Sequence, residues 1–289
     1  MNTKDALLWL CLACLWGTSF LAIGVAVETV SPVDVVTGRM VIGSALLLAI
    51  AVYRRGSLAM SRRAWVLAAI VGLSGNVLPF LLISFAEQRV DSGLAALIMG
   101  IAPVVTLVCA PFIHSDEPLT RTKLAGAAVG FAGIVILVGP SAFGGMEAET
   151  LAQIALLAAA LSYSFTALFS RRYPYDDPLQ MAAASVLIGA LLIGSVSLLN
   201  WQPGALERMS DLSIFAIIYL GLGPTALAAA IYFYLIPRIG AGRLQQVNYV
   251  VPVLGTLLGI FLLGERPQIN TWIAIPFVLS AVYIVTRKS

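Results

Sequence analysis

Polar side chains are sparse in this 289-residue chain, and their spacing is informative. Gln245, Asn248, Tyr249, Pro252 and Thr256 fall at i, i+3, i+4, i+7 and i+11. That is one face of one helix. An amide on that face would cost about 2 kcal/mol or more if turned to lipid without a partner, so the face must turn inward. There it can bridge helices, as polar side chains in membranes do, or hold the polar head of a small solute.

Rings supply a second set of candidates. Trp16 and Phe20 are i, i+4 on an early apolar run, with Ser19 beside them, and Tyr163 and Tyr232 lie in later runs. Such rings stack on aromatic solutes or lie over ammonium groups. The alternatives are core packing and an interfacial belt, and Trp65, Trp201 and Trp272, near the ends of runs, are assigned to the belt. Asn76 and Phe80 flank Pro79, and Thr225 follows Pro224. At such points a helix loses a hydrogen bond and kinks.

The charged candidates are fewer. Arg39 is the only charge well inside an apolar run, seven residues past Pro32 and so about 10 Å along a helix. An ion pair with Glu28 or Asp34, or a gate role, is expected for it ahead of contact with a substrate carboxylate. Glu117 and Glu265 end two apolar runs that contain Pro103 and Pro252, and these four are candidate gate or helix-end positions. Cys11 and Cys14 form a C-x-x-C among apolar residues and are expected to be small core residues. No Ser–His pair lies at membrane depth, and there is no phosphate-binding glycine loop. No catalytic residue, metal or cofactor is therefore expected. No Asp or Glu sits at mid-run either, which argues against a proton antiporter built on a buried carboxylate.

The elements that position these residues follow from composition. The chain is 60% apolar and 11% charged, against roughly 45–50% and 25% for a soluble domain, and its mean hydropathy is +0.96. A cytosolic enzyme, a disordered regulator and a nucleic-acid binder are excluded; the partners expected are the lipid bilayer and a small-molecule substrate, with no obligate protein partner. Windows of about 20 residues, cut at charge, Gly and Pro clusters, predict ten spans near 5–27, 33–53, 64–86, 91–112, 121–140, 149–170, 178–199, 212–236, 240–263 and 269–286. The first is too long for a signal-peptide core and is expected to be retained.

Basic residues sort by side. Lys4, Arg54, Arg55, Arg62, Arg63, Arg121, Lys123, Arg171, Arg172, Arg238, Arg243, Arg287 and Lys288 share the face of the termini, whereas Arg89, Arg208 and Arg266 share the other. This bias predicts both termini in the cytoplasm.

The two halves also align. At an offset of 149, Val71-Gly72-Leu73 meets Leu220-Gly221-Leu222, Arg89 meets Arg238, Gly93 meets Gly242 and Pro103 meets Pro252. One inserted residue later, Glu117-Pro118 meets Glu265-Arg266-Pro267, and earlier Pro32 and Gly43 meet Pro178 and Gly189. The offset carries the polar face of the ninth span onto Ala96, Met99, Gly100, Pro103 and Leu107, an apolar wall. Five spans per half invert the second half, giving an all-α membrane protein of ten transmembrane helices in two inverted five-helix repeats, residues 1–145 and 146–289. In secondary transporters of this kind the substrate site lies between the repeats near the midplane.

With Leu15-Trp16-Gly17-Thr18-Ser19-Phe20, Gly38-Arg39-Met40, Ala102-Pro103-Val104 through Glu117-Pro118, and Pro252 through Leu262-Leu263-Gly264-Glu265-Arg266-Pro267, the chain resembles the drug/metabolite transporter superfamily and its ten-helix EamA-like family. The resemblance covers essentially the whole chain. It departs from the family pattern at His114-Ser115-Asp116 and at Ser162-Tyr163. It implies an exporter of small metabolites, often amino acids, in the cell inner membrane, and the overall sequence is most similar to YddG-type exporters of aromatic amino acids. Trp16, Ser19, Phe20, Asn76, Phe80, Met99, Tyr163, Tyr232, Gln245, Asn248 and Tyr249 are the candidate substrate-binding residues, around a cavity formed by spans 1, 3, 4, 6, 8 and 9. A carrier of nucleotide sugars or cationic drugs and, from another class, an intramembrane enzyme acting on lipid or peptide are the alternatives.

Overall fold

The computed structural model describes residues 2–113, 120–138, 148–173, 175–201, 203–204, 206–239, 244 and 247–286. Polar residues and prolines start the helices where the apolar runs begin. Asn2, Ser31, Ser61, Asp177 and Ser210 each accept a backbone N–H from the first turn that follows, so donors that have no partner within the helix are satisfied. Pro32 and Pro178 occupy first-turn positions, where the missing N–H costs nothing. Gly56, at φ 74°, ends the second helix, and Gly264, at φ 69°, follows the ninth.

The resulting spans are α1 (Thr3–Val27), α2 (Pro32–Arg55), α3 (Arg62–Ala86), α4 (Ser92–Met99 continued by Ala102–Ile113), α5 (Arg121–Val138), α6 (Ala148–Arg172), α7 (Pro178–Leu199), α8 (Asp211–Ile239), α9 (Val247–Leu263) and α10 (Ile269–Thr286). Seven are long and apolar enough to cross a bilayer, and α5, α9 and α10 contain shorter apolar stretches. There is no strand among the described residues. The chain is an all-helical, multi-pass membrane protein. Leu191, Leu199, Phe215 and Phe261 are exposed on its flanks, as a lipid-facing surface requires. Trp201 and Trp272 are exposed near span ends. Cys14 is exposed and Cys11 only partly buried, so the expectation that both are core residues is corrected: i, i+3 spacing on α1 leaves Cys14 on its outer face.

Helix packing follows a paired pattern. α2 packs on α7, α4 on α9 and α5 on α10; α1 packs on α8 and α9, and α6 on α3 and α4. Exchanging α1–α5 for α6–α10 reproduces the same set of neighbours. α3 and α8 each contain a π-helical segment, Leu73–Val77 and Gly221–Leu227, next to Pro79 and around Pro224. A proline has no N–H to return to the preceding turn, and a wider turn is one way a helix absorbs that loss. At each π-segment a glycine lets a second helix approach. A Cβ on Gly72 would lie 2.5 Å from the Ser185 carbonyl oxygen of α7, and one on Gly221 would lie 2.7 Å from Ile42 Cβ and 3.1 Å from the Arg39 carbonyl oxygen of α2.

Candidate functional site

The π-segment of α3 and the α4 break border a cavity of about 110 Å³. α1 contributes Trp16, Ser19, Phe20 and Ile23; α2 contributes Arg39; α3 contributes Val71, Gly75, Asn76, Phe80 and Ile83. Met99 and Ala102 flank the break in α4, Tyr163 and Thr166 come from α6, Tyr232 and Phe233 from α8, and Leu244 and Val251 complete the wall. The lining is mostly apolar with a few polar groups, as in small-molecule sites generally.

Rings from α1, α3, α6 and α8 make much of the wall. Trp16 and Tyr232 have centroids 6.0 Å apart, and Tyr232 meets Phe233 edge-on at 5.2 Å. Tyr175 donates its hydroxyl to the Phe233 carbonyl at 3.0 Å and packs edge-on against the Phe233 ring. These contacts hold the rings in place from outside the cavity.

A hydroxyl network ties α6 to α3 and α4 beside the cavity. Because Pro79 cannot donate to the preceding turn, α3 offers spare carbonyls, and Ser162 Oγ donates to the Ser74 carbonyl at 2.6 Å. Thr166 and Ser74 share a hydrogen bond of 2.8 Å, and Thr166 also donates to the Ser162 carbonyl at 2.9 Å. In α4, Pro103 lacks the N–H that would bridge the Gly100–Ile101 break. There, Thr106 and Ser164 both donate to the Ala102 carbonyl. Ser162, one of the departures from the family pattern, therefore ties α6 to the π-segment.

Arg39 differs from expectation. It is 2% exposed, its Nε donates to Thr225 Oγ1 at 3.0 Å, and its Cζ lies 3.7 Å from the centroid of the Phe80 ring. Its Nη1 is buried without a hydrogen-bond partner, and among the described residues it makes no ion pair. The ion pair with Glu28 or Asp34 is thus corrected: Asp34 accepts from Ser31 and Ser197 instead, and the Arg39 side chain turns from that end of α2 toward the cavity. The cavity therefore includes α2, which the sequence reading left out.

The ends of the helices are tied separately. On the face opposite the termini, the Glu265 carboxylate accepts from the N–H groups of Ser92 and Gly93 at 2.8 and 3.0 Å. It caps the start of α4, where Asp91 makes no side-chain cap, and a carboxylate at a helix N-terminus is favourable. The left-handed turn at Gly264 brings Glu265 there, with its N–H returning to the Gly259 carbonyl at 3.1 Å. Ser92 Oγ also donates to Glu87 at 3.0 Å. Glu87 is 8% exposed, and its Oε1 has no partner. Burial pushes the Glu87 carboxyl well above the usual carboxylate range; the Ser92 hydrogen bond and Arg39 oppose that, and Glu265 adds to it. On the face of the termini, Arg238 Nε pairs with Asp5 at 3.1 Å, and both Lys4 and Arg238 lie over the Tyr234 ring.

Of the candidates taken from the sequence, Trp16, Ser19, Phe20, Asn76, Phe80, Met99, Tyr163 and Tyr232 converge on the cavity, joined by Arg39. Pro103 sits one residue behind the lining, and Glu265 caps α4 away from it. Gln245 and Glu117 lie outside the described residues, as do the side chains of Asn248, Tyr249 and Pro252. Thr166 and Glu87 were missed. The i, i+4 pair Ser162 and Thr166 was a legible signal for the first. Nothing local marked Glu87 as buried, because it follows the last residue of a span. Among the described residues no group of three His, Cys, Asp or Glu is placed to hold a metal.

Comparisons with known proteins agree with this architecture. The family model of the EamA-like transporter family matches residues 4–139 and again 150–287. An uncharacterized transporter of Archaeoglobus fulgidus is 26% identical over 94% of this chain and 95% of its own length. The uncharacterized inner membrane transporter YedA of Escherichia coli is 27% identical over 94% of this chain and 87% of its own. A solved crystal structure shares the fold with a TM-score of 0.73 and 23% identity, over 99% of this chain and 98% of that one.

Proposed function

The chain belongs to the EamA-like transporter family, and we propose that it is a secondary transporter or facilitator that exports small amphiphilic metabolites, with aromatic and other apolar amino acids as its substrates. The observation that carries this reading is the cavity itself: a space lined by residues of both halves, with Trp16, Phe20, Phe80, Tyr163 and Tyr232 among its rings and Arg39, Asn76, Ser19 and Thr166 among its polar groups. A zwitterion with an apolar side chain matches both chemistries. An uncompensated arginine in the lining disfavours cationic drugs.

Residues 1–145 and 146–289 are the two rocking units. The paired crossings at the π-segments act as pivots, and the cavity opens alternately to either face. The ties at Asp5–Arg238 and Glu265–α4 lie at opposite ends and cannot both hold in an open state, which suits alternating access. The bias in basic residues supports cytoplasmic termini and, with them, residence in the cell inner membrane.

The test is flux in proteoliposomes loaded with a panel of amino acids, with and without a pH gradient. Efflux of aromatic and apolar amino acids that ignores the gradient supports facilitated export. If no amino acid moves, this substrate class is wrong.

A further inference from the structure

We infer that Arg39 is the seat for a single carboxylate on the transported solute, which deepens the reading of the central cavity and rests on it. The argument begins with what the guanidinium lacks. It lines the cavity, is buried, and has neither an ion-pair partner among the described residues nor an acceptor for Nη1. A guanidinium keeps its charge, and a buried charge persists when something pairs with it. Among the described residues no acid lines the cavity, and Glu87, which feels the Arg39 charge, is hydrogen-bonded by Ser92 and makes no ion pair with it, so the missing partner is brought by the solute.

Its surroundings orient it for that task. Phe80 covers one face of the guanidinium plane, and Thr225 occupies Nε. With the stacking face and one edge taken, recognition is left to the in-plane Nη donors, whose fork matches a carboxylate in bidentate fashion. A stacked and anchored guanidinium also loses little freedom on binding.

The repeat explains why there is one seat. The offsets that align the halves carry Arg39 onto Ser185 and Thr225 onto Asn76. Ser185 donates to the Ala182 carbonyl of its own helix, so the equivalent crossing is neutral. A solute with one carboxylate therefore binds in one orientation, its acid end toward the α2–α8 crossing and its apolar end among Trp16, Phe20 and Tyr232. A dicarboxylate finds no second cation in the described lining.

The experiment uses purified full-length protein in detergent, with L-phenylalanine, L-phenylalaninamide and chloride as probes. Affinity is read from the rise in melting temperature with concentration. The wild-type protein is expected to bind the acid about tenfold or more tightly than the amide, as loss of a bidentate charged pair implies. Arg39→Gln is expected to abolish that preference, weakening binding of the acid far more than binding of the amide. Arg39→Lys, which keeps the charge and loses the fork, is expected to restore only part of it. Equal binding of acid and amide by the wild-type protein overturns the proposal without any variant, so a failure of Arg39→Gln to fold leaves it falsifiable. Stabilisation by chloride equal to that by the acid also overturns it, since the seat would then be a plain anion site. If neither phenylalanine probe binds but other monocarboxylates do, with dependence on Arg39, the amino-acid reading falls and the carboxylate seat stands.

Discussion

The two π-segment crossings share a backbone plan and differ in charge. At one, Gly221 of α8 admits the α2 backbone and Thr225 holds Arg39. At the other, Gly72 of α3 admits the α7 backbone, and the aligned side chains are Ser185 and Asn76. The small residue that permits the crossing is kept in both halves, whereas the charge is present in one. Close packing of helices is thus a property of the repeated architecture, and polarity of the cavity is a property of one substitution within it. A transporter built from two like halves becomes chemically asymmetric in this way without losing its pivots.

Substitutions at both crossings test how deep that difference goes. The largest effect is expected from Ser185→Arg, which places a charge at the neutral crossing where Ser185 is fully buried. An uncompensated buried charge costs about 3–5 kcal/mol, so the yield of folded protein in detergent should drop sharply. An unchanged melting temperature would mean that the two crossings are interchangeable. Next is Gly72→Ala, whose Cβ would meet a backbone oxygen at 2.5 Å. Overpacking of this kind costs about 1–3 kcal/mol, and Gly221→Ala, whose Cβ would meet Ile42 Cβ and Cγ2 at 2.7 Å, should lower the melting temperature comparably.

Thr225→Val removes the Nε acceptor at nearly constant shape. Leaving a donor of a charged group unmade costs about 1–3 kcal/mol. The loss should appear both in melting temperature and in weaker binding of L-phenylalanine, whereas Asn76→Leu at the aligned position should spare the preference for acid over amide. The smallest effect concerns the far face. Because Glu87 has its carboxyl raised by burial, its protonated form is favoured in the folded protein. The stability it contributes is full at acid pH and is lost as pH rises through that raised value. The wild-type melting temperature should therefore fall as pH rises from the ordinary carboxylate range, and Glu87→Gln should flatten the curve. An identical slope in the variant would assign the dependence to another group.

Much of the fold was legible in the sequence. Nine of the ten predicted spans match the helices within a few residues, because hydropathy, capping residues and prolines act locally along the chain, and the ninth, expected over 240–263, is described as a helix over Val247–Leu263. The rings at Trp16, Phe20, Tyr163 and Tyr232 were legible as a cavity set because inverted repeats bring equivalent mid-span positions to one axis. Arg39 was legible as an anomaly and misread as an ion pair. Depth along α2 follows from counting residues, but the direction of a side chain around the helix depends on what packs there. Glu87 was passed over for the same reason: position at a span end predicts water, and only the approach of α1 and the Glu265 turn excludes it.

The sequence by itself determined the membrane, the spans and the internal repeat, since these rest on composition and periodicity that each segment carries alone. The tertiary structure decided which polar groups meet. Thr225 lies 186 residues from Arg39, and Glu265 lies 173 residues from Ser92. Contacts at such separations exist only once close-packed helices bring the two halves together, and they determine that Arg39 faces the cavity without an ion pair among the described residues and that the start of α4 is held by a borrowed cap.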